Sequence, residues 1–408
     1  MCLLAGIPAW GDWPQFQGPN RNGTSPETGL LRAWPADGPR VVWEFPLGPG
    51  FGGPAVRDGE VFVLDRQDDA RDVLRCLDLK TGKELWAYTH EAPGSVSYNG
   101  SRSTPTVTET HVFTVGMMGD FYCVNRATHE LEWHRNLLEA FETGLPGWGV
   151  TQAPLLYKDW AVVAPQAGRA TVAALEQATG ETVWEAKLGG GVGYVTPAVT
   201  TLCGVDQAIM VTAGEGGTVG VVGGVAMADG KVLWSYEGWQ CKIPIVSPTP
   251  LPGDRVFITG EYGAGSAMLK IERDGDGLTA RELYKTDLCG SQIHQPLLID
   301  GYLYLNSNGN RRSDGMTCMS LDGERRWNTQ RRPNFEKGNL LTADGMVYNL
   351  DGKSGILHLI EPSPEGYKEL AQAKVLDGQK MWSPMALSDG MLLVRSQEVM
   401  KCLEVRAP

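Results

Sequence analysis

Leu79-Lys80-Thr81-Gly82-Lys83-Glu84-Leu85-Trp86 decides the reading of this chain, because it comes back. It recurs as Ala178-Thr179-Gly180-Glu181-Thr182-Val183-Trp184 and as Ala228-Asp229-Gly230-Lys231-Val232-Leu233-Trp234. Weaker copies are Ala127-Thr128-His129-Glu130-Leu131-Glu132-Trp133 and Leu321-Asp322-Gly323-Glu324-Arg325-Arg326-Trp327. Thr-Gly or Asp-Gly supplies a corner with positive φ, and an alternating strand follows in which every second residue faces a core. The closing aromatics stand at Trp43, Trp86, Trp133, Trp184, Trp234, Tyr284 and Trp327, spaced 43 to 51 residues apart. A strand-forming repeat of that length predicts a β-propeller with one four-stranded blade per period.

A second ladder keeps the same period. Short strands open on a proline at Pro54, Pro105, Pro154, Pro197, Pro248, Pro296 and Pro384, and Asn339-Leu340-Leu341 fills the remaining rung without one. Proline is tolerated there because the first residue of a strand need not donate to the ladder. Eight opening strands but only seven complete blades result. The last blade lacks an outer strand, and Arg40-Val41-Val42-Trp43-Glu44-Phe45-Pro46 at the other end reads as one. The expectation is therefore an all-β, eight-bladed propeller of four-stranded antiparallel blades. An N-terminal strand completes the last blade and leaves no free sheet edge at the seam.

Predicted blades run over 50–90, 102–137, 151–188, 194–238, 244–288, 292–330 and 337–376, with the eighth over 382–406 plus 40–46. One propeller domain thus occupies 39–408. Residues 12–38, rich in turn formers yet aromatic, are expected to pack across one face of the ring. Residues 1–11, with Ala9 and Gly11 before Asp12, read as a shortened export signal.

The balance of 48 Asp+Glu against 36 Lys+Arg gives a net charge of -12, without a basic run, so nucleic acid and anionic lipid are poor partners. No apolar run approaches the roughly 18 residues that span a bilayer. Of the eight cysteines, Cys76, Cys123, Cys318 and Cys402 hold one register position in four different blades. Rotation about the axis keeps them too far apart to pair, so they read as small core residues. His129-Glu130-Leu131-Glu132-Trp133-His134 has one residue too many for a zinc helix, and His129 takes the place of the turn glycine. Gly214–Gly220 lacks the helix a phosphate loop needs, and Asp274-Gly275-Asp276-Gly277 runs out of calcium ligands at Leu278. Neither a metal ligand set nor a catalytic residue is assigned.

Strand-entry loops of a propeller converge on one mouth of its channel. Here they carry Arg102, Trp148, Gln152, Tyr194, Lys242, His294, Asn339 and Trp382, a candidate ligand-binding ring. His294 is the only histidine on it. The competing expectation is that these groups plug the channel and bond to one another.

The Leu-x-x-x-Thr-Gly-Lys-x-Leu-Trp repeat resembles the blade motif of the quinoprotein (PQQ-like) propeller superfamily, which includes quinoprotein alcohol dehydrogenases and the BamB lipoprotein. Asp12-Trp13-Pro14-Gln15-Phe16-Gln17-Gly18-Pro19-Asn20-Arg21-Asn22-Gly23 resembles a group of exported PQQ-like propellers of planctomycete-type bacteria. Resemblance to the dehydrogenases implies PQQ on the axis with calcium held by acidic and amide groups, a tryptophan floor and adjacent cysteines. The chain has no adjacent cysteines and no C-x-x-C-H haem motif. The favoured expectation is an exported, monomeric, non-catalytic propeller binding a protein or small ligand at its mouth, with a PQQ-dependent dehydrogenase of alcohols or sugars as the alternative.

Overall fold

The computed structural model describes residues 11–35, 37–166 and 169–408. The export-signal reading of the first eleven residues falls almost wholly outside them. Eight four-stranded antiparallel sheets form the blades of one propeller. Blade 1 comprises Ala55–Arg57, Glu60–Gln67, Arg71–Asp78 and Glu84–Glu91. Blade 2 has Thr106–Val107, His111–Val115, Asp120–Asn125 and Leu131–Asn136. Blades 3 and 4 open on Leu155–Tyr157 and Ala198–Leu202, and blades 5 and 6 on Thr249–Leu251 and Leu297–Ile299. Blade 7 opens on Leu340–Ala343. Blade 8 combines Ala386–Ser388, Met391–Arg395 and Val399–Glu404 with Arg40–Pro46, which pairs antiparallel with Val399–Glu404.

The repeated turn does two jobs. Gly82, Gly180, Gly230 and Gly323 all have positive φ, and His129 adopts φ 63° in the same position. The glycine is also where the preceding blade docks. A Cβ on Gly82 would lie 2.6 Å from the Trp43 ring, one on Gly180 2.8 Å from Trp133, and one on Gly230 2.9 Å from Trp184. The indole N–H of each tryptophan then donates into the same turn region: Trp43 to the Leu79 carbonyl, Trp133 to Gln177 and Trp184 to Met227, at 2.7–3.0 Å. At blade 2 His129 cannot make that room, so its ring stacks on Trp86 at 4.7 Å.

Strict alternation along the outer strand is not what the structure shows. Every blade has a register shift on its outer strand, as between Cys76 and Leu77 opposite Trp86; in seven blades it precedes the closing aromatic, and in blade 7 Ala371 holds that place. The extra residue of the bulge points outward, leaving Leu85, Val183 and Leu283 exposed, and alternation begins only at the tryptophan. Cys76, Cys123, Cys318 and Cys402 each sit on a third strand, buried and unpaired.

Residues 12–34 cross the channel face opposite the mouth. Trp13, buried, bridges to Val56 of blade 1; Arg21 donates to the Leu156 carbonyl of blade 3 at 2.6 Å; Thr24 bridges to Thr342 of blade 7 and Leu30 to Arg406. Lying across that opening, the segment carries Phe16 to the axis, where it lines the cavities on both sides of itself.

Candidate functional site

At the other mouth the entry segments enclose a cup of about 160 Å³ with Phe16 among its lining residues. Extended backbone points alternate residues the same way, so positions three and one before the opening proline face the axis together. Phe51, Arg102, Thr151, Tyr194, Ile245 and Ile293 fill the first position, and Thr104, Ala153, Thr196 and Ser247 fill the second; all line the cup. Thr104 and Thr196 also tie the inner ring together, each hydroxyl accepting the backbone N–H of Gly53 or Ala153 in the preceding blade.

An arc of aromatic rings makes the wall. Trp382 stacks on Phe51 at 5.5 Å, Tyr98 contacts Trp382 at 5.9 Å and Trp148 at 6.5 Å, and Trp148 meets Tyr194 at 5.0 Å. Three cations lie on these rings: Arg102 over Phe51 at 5.2 Å, Lys337 over Trp382 at 4.6 Å and Lys380 over Tyr98 at 4.7 Å. The Trp382 indole is held from behind by Glu336, 2.6 Å away, which also pairs with Lys337 at 2.8 Å. Arg102 donates to the carbonyls of Ser97 and Tyr98, but its Nε is buried without a partner. Burial pushes its guanidinium down to about 10.

His294 lines the cup yet is held in the ring wall. Asn339 Oδ1 accepts the backbone N–H of Met385, which leaves its Nδ2 to donate to His294 Nδ1 at 3.2 Å. The proton of the neutral ring then sits on Nε2, which is buried without a hydrogen-bond partner. Burial lowers the ring to about 4, opposed weakly by the backbone of Trp382 and Lys337. A folded-state value below the unfolded 6.5 means that the neutral ring favours folding above pH 6.5, and that this contribution is lost as pH falls toward 4. We expect wild type to lose on the order of 3 kcal/mol more than His294→Gln between pH 7 and pH 4. Denaturant unfolding at the two pH values checks this; parallel losses would mean that the ring titrates normally.

Of the eight candidate residues, Arg102, Trp148, Tyr194, His294 and Trp382 come together in the cup. Gln152 does not line it: two residues before its proline, it turns into blade 3 and bonds both ways with the backbone of Ala164. Asn339 lies behind His294, and Lys242 is half exposed in a surface pair with Glu215. Phe16, Phe51, Tyr262 and Asn310 were missed. Tyr262 and Asn310 come from loops between second and third strands of blades 5 and 6, joined where the Tyr262 hydroxyl accepts from Asn310 and Gln292. Phe51 was legible, three residues before Pro54; Phe16 was not, since nothing local aims it at the axis.

No Asp, Glu or Cys is among the residues lining the cup. A calcium ion takes six to eight oxygen ligands, normally with carboxylates among them. The donor set therefore does not fit the calcium that accompanies PQQ in quinoprotein dehydrogenases.

Among the described residues no helix is long and apolar enough to cross a membrane. The profile of the family described as "Outer membrane protein assembly factor BamB" matches residues 24–101, 70–274 and 219–391. No curated protein matches the chain by sequence. Among solved structures, a europium-containing methanol dehydrogenase superposes with a TM-score of 0.69 at 16% identity, covering 94% of this chain and 89% of that one. The quinohemoprotein alcohol dehydrogenase of Comamonas testosteroni gives 0.65 at 13% identity, over 98% and 81%. BamB of Moraxella catarrhalis gives 0.60 at 14% identity, over 90% and 97%. At such identities the likeness is one of fold.

Proposed function

Since this chain belongs to the BamB-described family of PQQ-like propellers, we propose that it is a non-catalytic, exported binding module. Its mouth cup takes a small planar, anionic group, free or displayed at the tip of a protein partner. The observation carrying this reading is Arg102: a guanidinium whose Nε is buried without a partner, in a cup of aromatic rings free of carboxylates. Planar anions suit such a site, because the rings supply stacking surface and the guanidinium a charge-assisted bond. The protein acts as a monomer in this reading, and its net charge of -12 makes nucleic acid a poor partner.

The test is a titration with a panel of aromatic carboxylates, read by quenching of Trp148 and Trp382. One saturable site is expected. Arg102→Ala should weaken binding about 10- to 100-fold, the loss of one charge-assisted hydrogen bond, with little change in Tm. A variant that loses stability and never had a ligand to lose would support the channel-plug reading instead. The quinoprotein alternative is separated by adding PQQ with calcium and a redox dye: sustained dye reduction with an alcohol or sugar would overturn the non-catalytic reading.

A further inference from the structure

His129 and His134 belong to the same short motif, but the turn at His129 sends them apart. His134 lies on the outer strand of blade 2 and faces His90, on the outer strand of blade 1. The two imidazoles are 4.5 Å apart between ring centroids. Both aim Nε2 at one carboxylate oxygen, Asp120 Oδ1, at 2.9 Å from His134 and 3.6 Å from His90. All three donor atoms lie within 4.8 Å of one another. Bonds of about 2.0–2.1 Å to a tetrahedral ion would put its donors about 3.4 Å apart, within the range seen.

The seam around them holds buried oxygens that the protein leaves unsatisfied. Asp72, opposite His90 across the strand pair, is fully buried; its Oδ1 pairs with Arg66 at 2.9 Å while Oδ2 has no partner. The Tyr122 hydroxyl, opposite His134, is also buried and unpartnered, and the ring stacks on His90 at 5.5 Å. Asn136 Nδ2 donates to Asp120 Oδ1 at 3.0 Å and to the Met118 carbonyl at 3.2 Å, which fixes the carboxylate. Asp120 is buried and His134 exposed, so the group is anchored on one side and open to solvent on the other. None of these residues lines the cup.

We propose that His90, Asp120 and His134 form a site for a divalent transition-metal ion of zinc-like softness at the seam between blades 1 and 2. Two neutral imidazoles and one carboxylate are the ligand set such ions prefer over calcium or magnesium. Asn136 orients the carboxylate, and the solvent side leaves a fourth position for water. An ion there would fasten the outer strands of blades 1 and 2 to each other.

The probe is Co²⁺, added to the full chain after chelation and dialysis, and read by visible absorbance and by Tm. One equivalent with a d–d band and a raised Tm is expected. His134→Ala, at an exposed position, should weaken binding by far more than the 10-fold expected for Asn136→Ala. Asp120→Asn keeps the hydrogen-bonding shape and should give the same loss as His134→Ala. His111→Ala removes a histidine beside Glu132 with no third ligand and should change nothing. No band, a band that survives both His134→Ala and Asp120→Asn, or equal loss in His111→Ala overturns the site.

Discussion

A chain beginning at Leu47 is expected to melt at least ~10 °C below the full protein, or to aggregate on purification. The lost strand is the outer strand of blade 8. Its register runs from Arg40 opposite Glu404 to Pro46 opposite Val399, with the Lys401–Glu44 ion pair at 2.7 Å. Removing it exposes Val399–Glu404 as an unprotected edge, which is a template for pairing with another chain. It also removes Trp43, which docks on Leu79 and over Gly82 as Trp133 and Trp184 dock on the blades after them. The closing strand thus makes at the seam the contact that the outer strands of blades 2 and 3 make inside the ring. Trp13, buried against blade 1, goes with it. Size-exclusion chromatography and a thermal melt by circular dichroism check the expectation. Melting within a few degrees of wild type would mean that the closure contributes little.

Blade number, strand order and seam were legible in the sequence because the repeat writes them locally. Each turn glycine and tryptophan is read within one period, and closure follows from counting strands. What the turn glycine packs against was not legible, since Trp43 and Gly82 belong to different blades. The outward swing of Leu85 escaped for a related reason: a bulge changes the parity that alternation assumes. At the mouth the same parity was available but sorts only part of the set, since Trp382 stands two residues before Pro384 and still lines the cup. Arg102 and Tyr194 fall three residues before their prolines and face the axis, whereas Gln152 falls two before and turns into its blade. His294 also stands two before its proline and reaches the cup from within the wall, bonded to Asn339. Tyr262 and Asn310 hang from hairpin loops whose reach no strand pattern states. The seam of His90, Asp120 and His134 joins two blades and a motif that resembled a helix, so only the folded ring brings those residues together.

Trp184→Ala should cost about 3–5 kcal/mol, as a buried aromatic truncation. Trp184 is 7% exposed and its indole donates to Met227 of blade 4 at 3.0 Å, so the substitution opens a gap and orphans a carbonyl between blades. The partner position sharpens the test. Gly230 has φ 76°, and a Cβ there would lie 2.9 Å from the Trp184 ring. Gly230→Ala therefore carries two penalties, a left-handed backbone of about 1–2 kcal/mol and a clash with the indole. In the Trp184→Ala background the ring contacts disappear, while the contact with the Cβ of residue 184 at 3.2 Å and the backbone penalty stay. The double variant should accordingly be more stable than the sum of the single changes predicts, by 0.5–3 kcal/mol, the range for residues in contact. Denaturant unfolding of the four proteins measures that difference. Strict additivity would mean that Gly230 is required for its φ alone, and that the docking of one blade's tryptophan on the next blade's turn is not what sets the repeat.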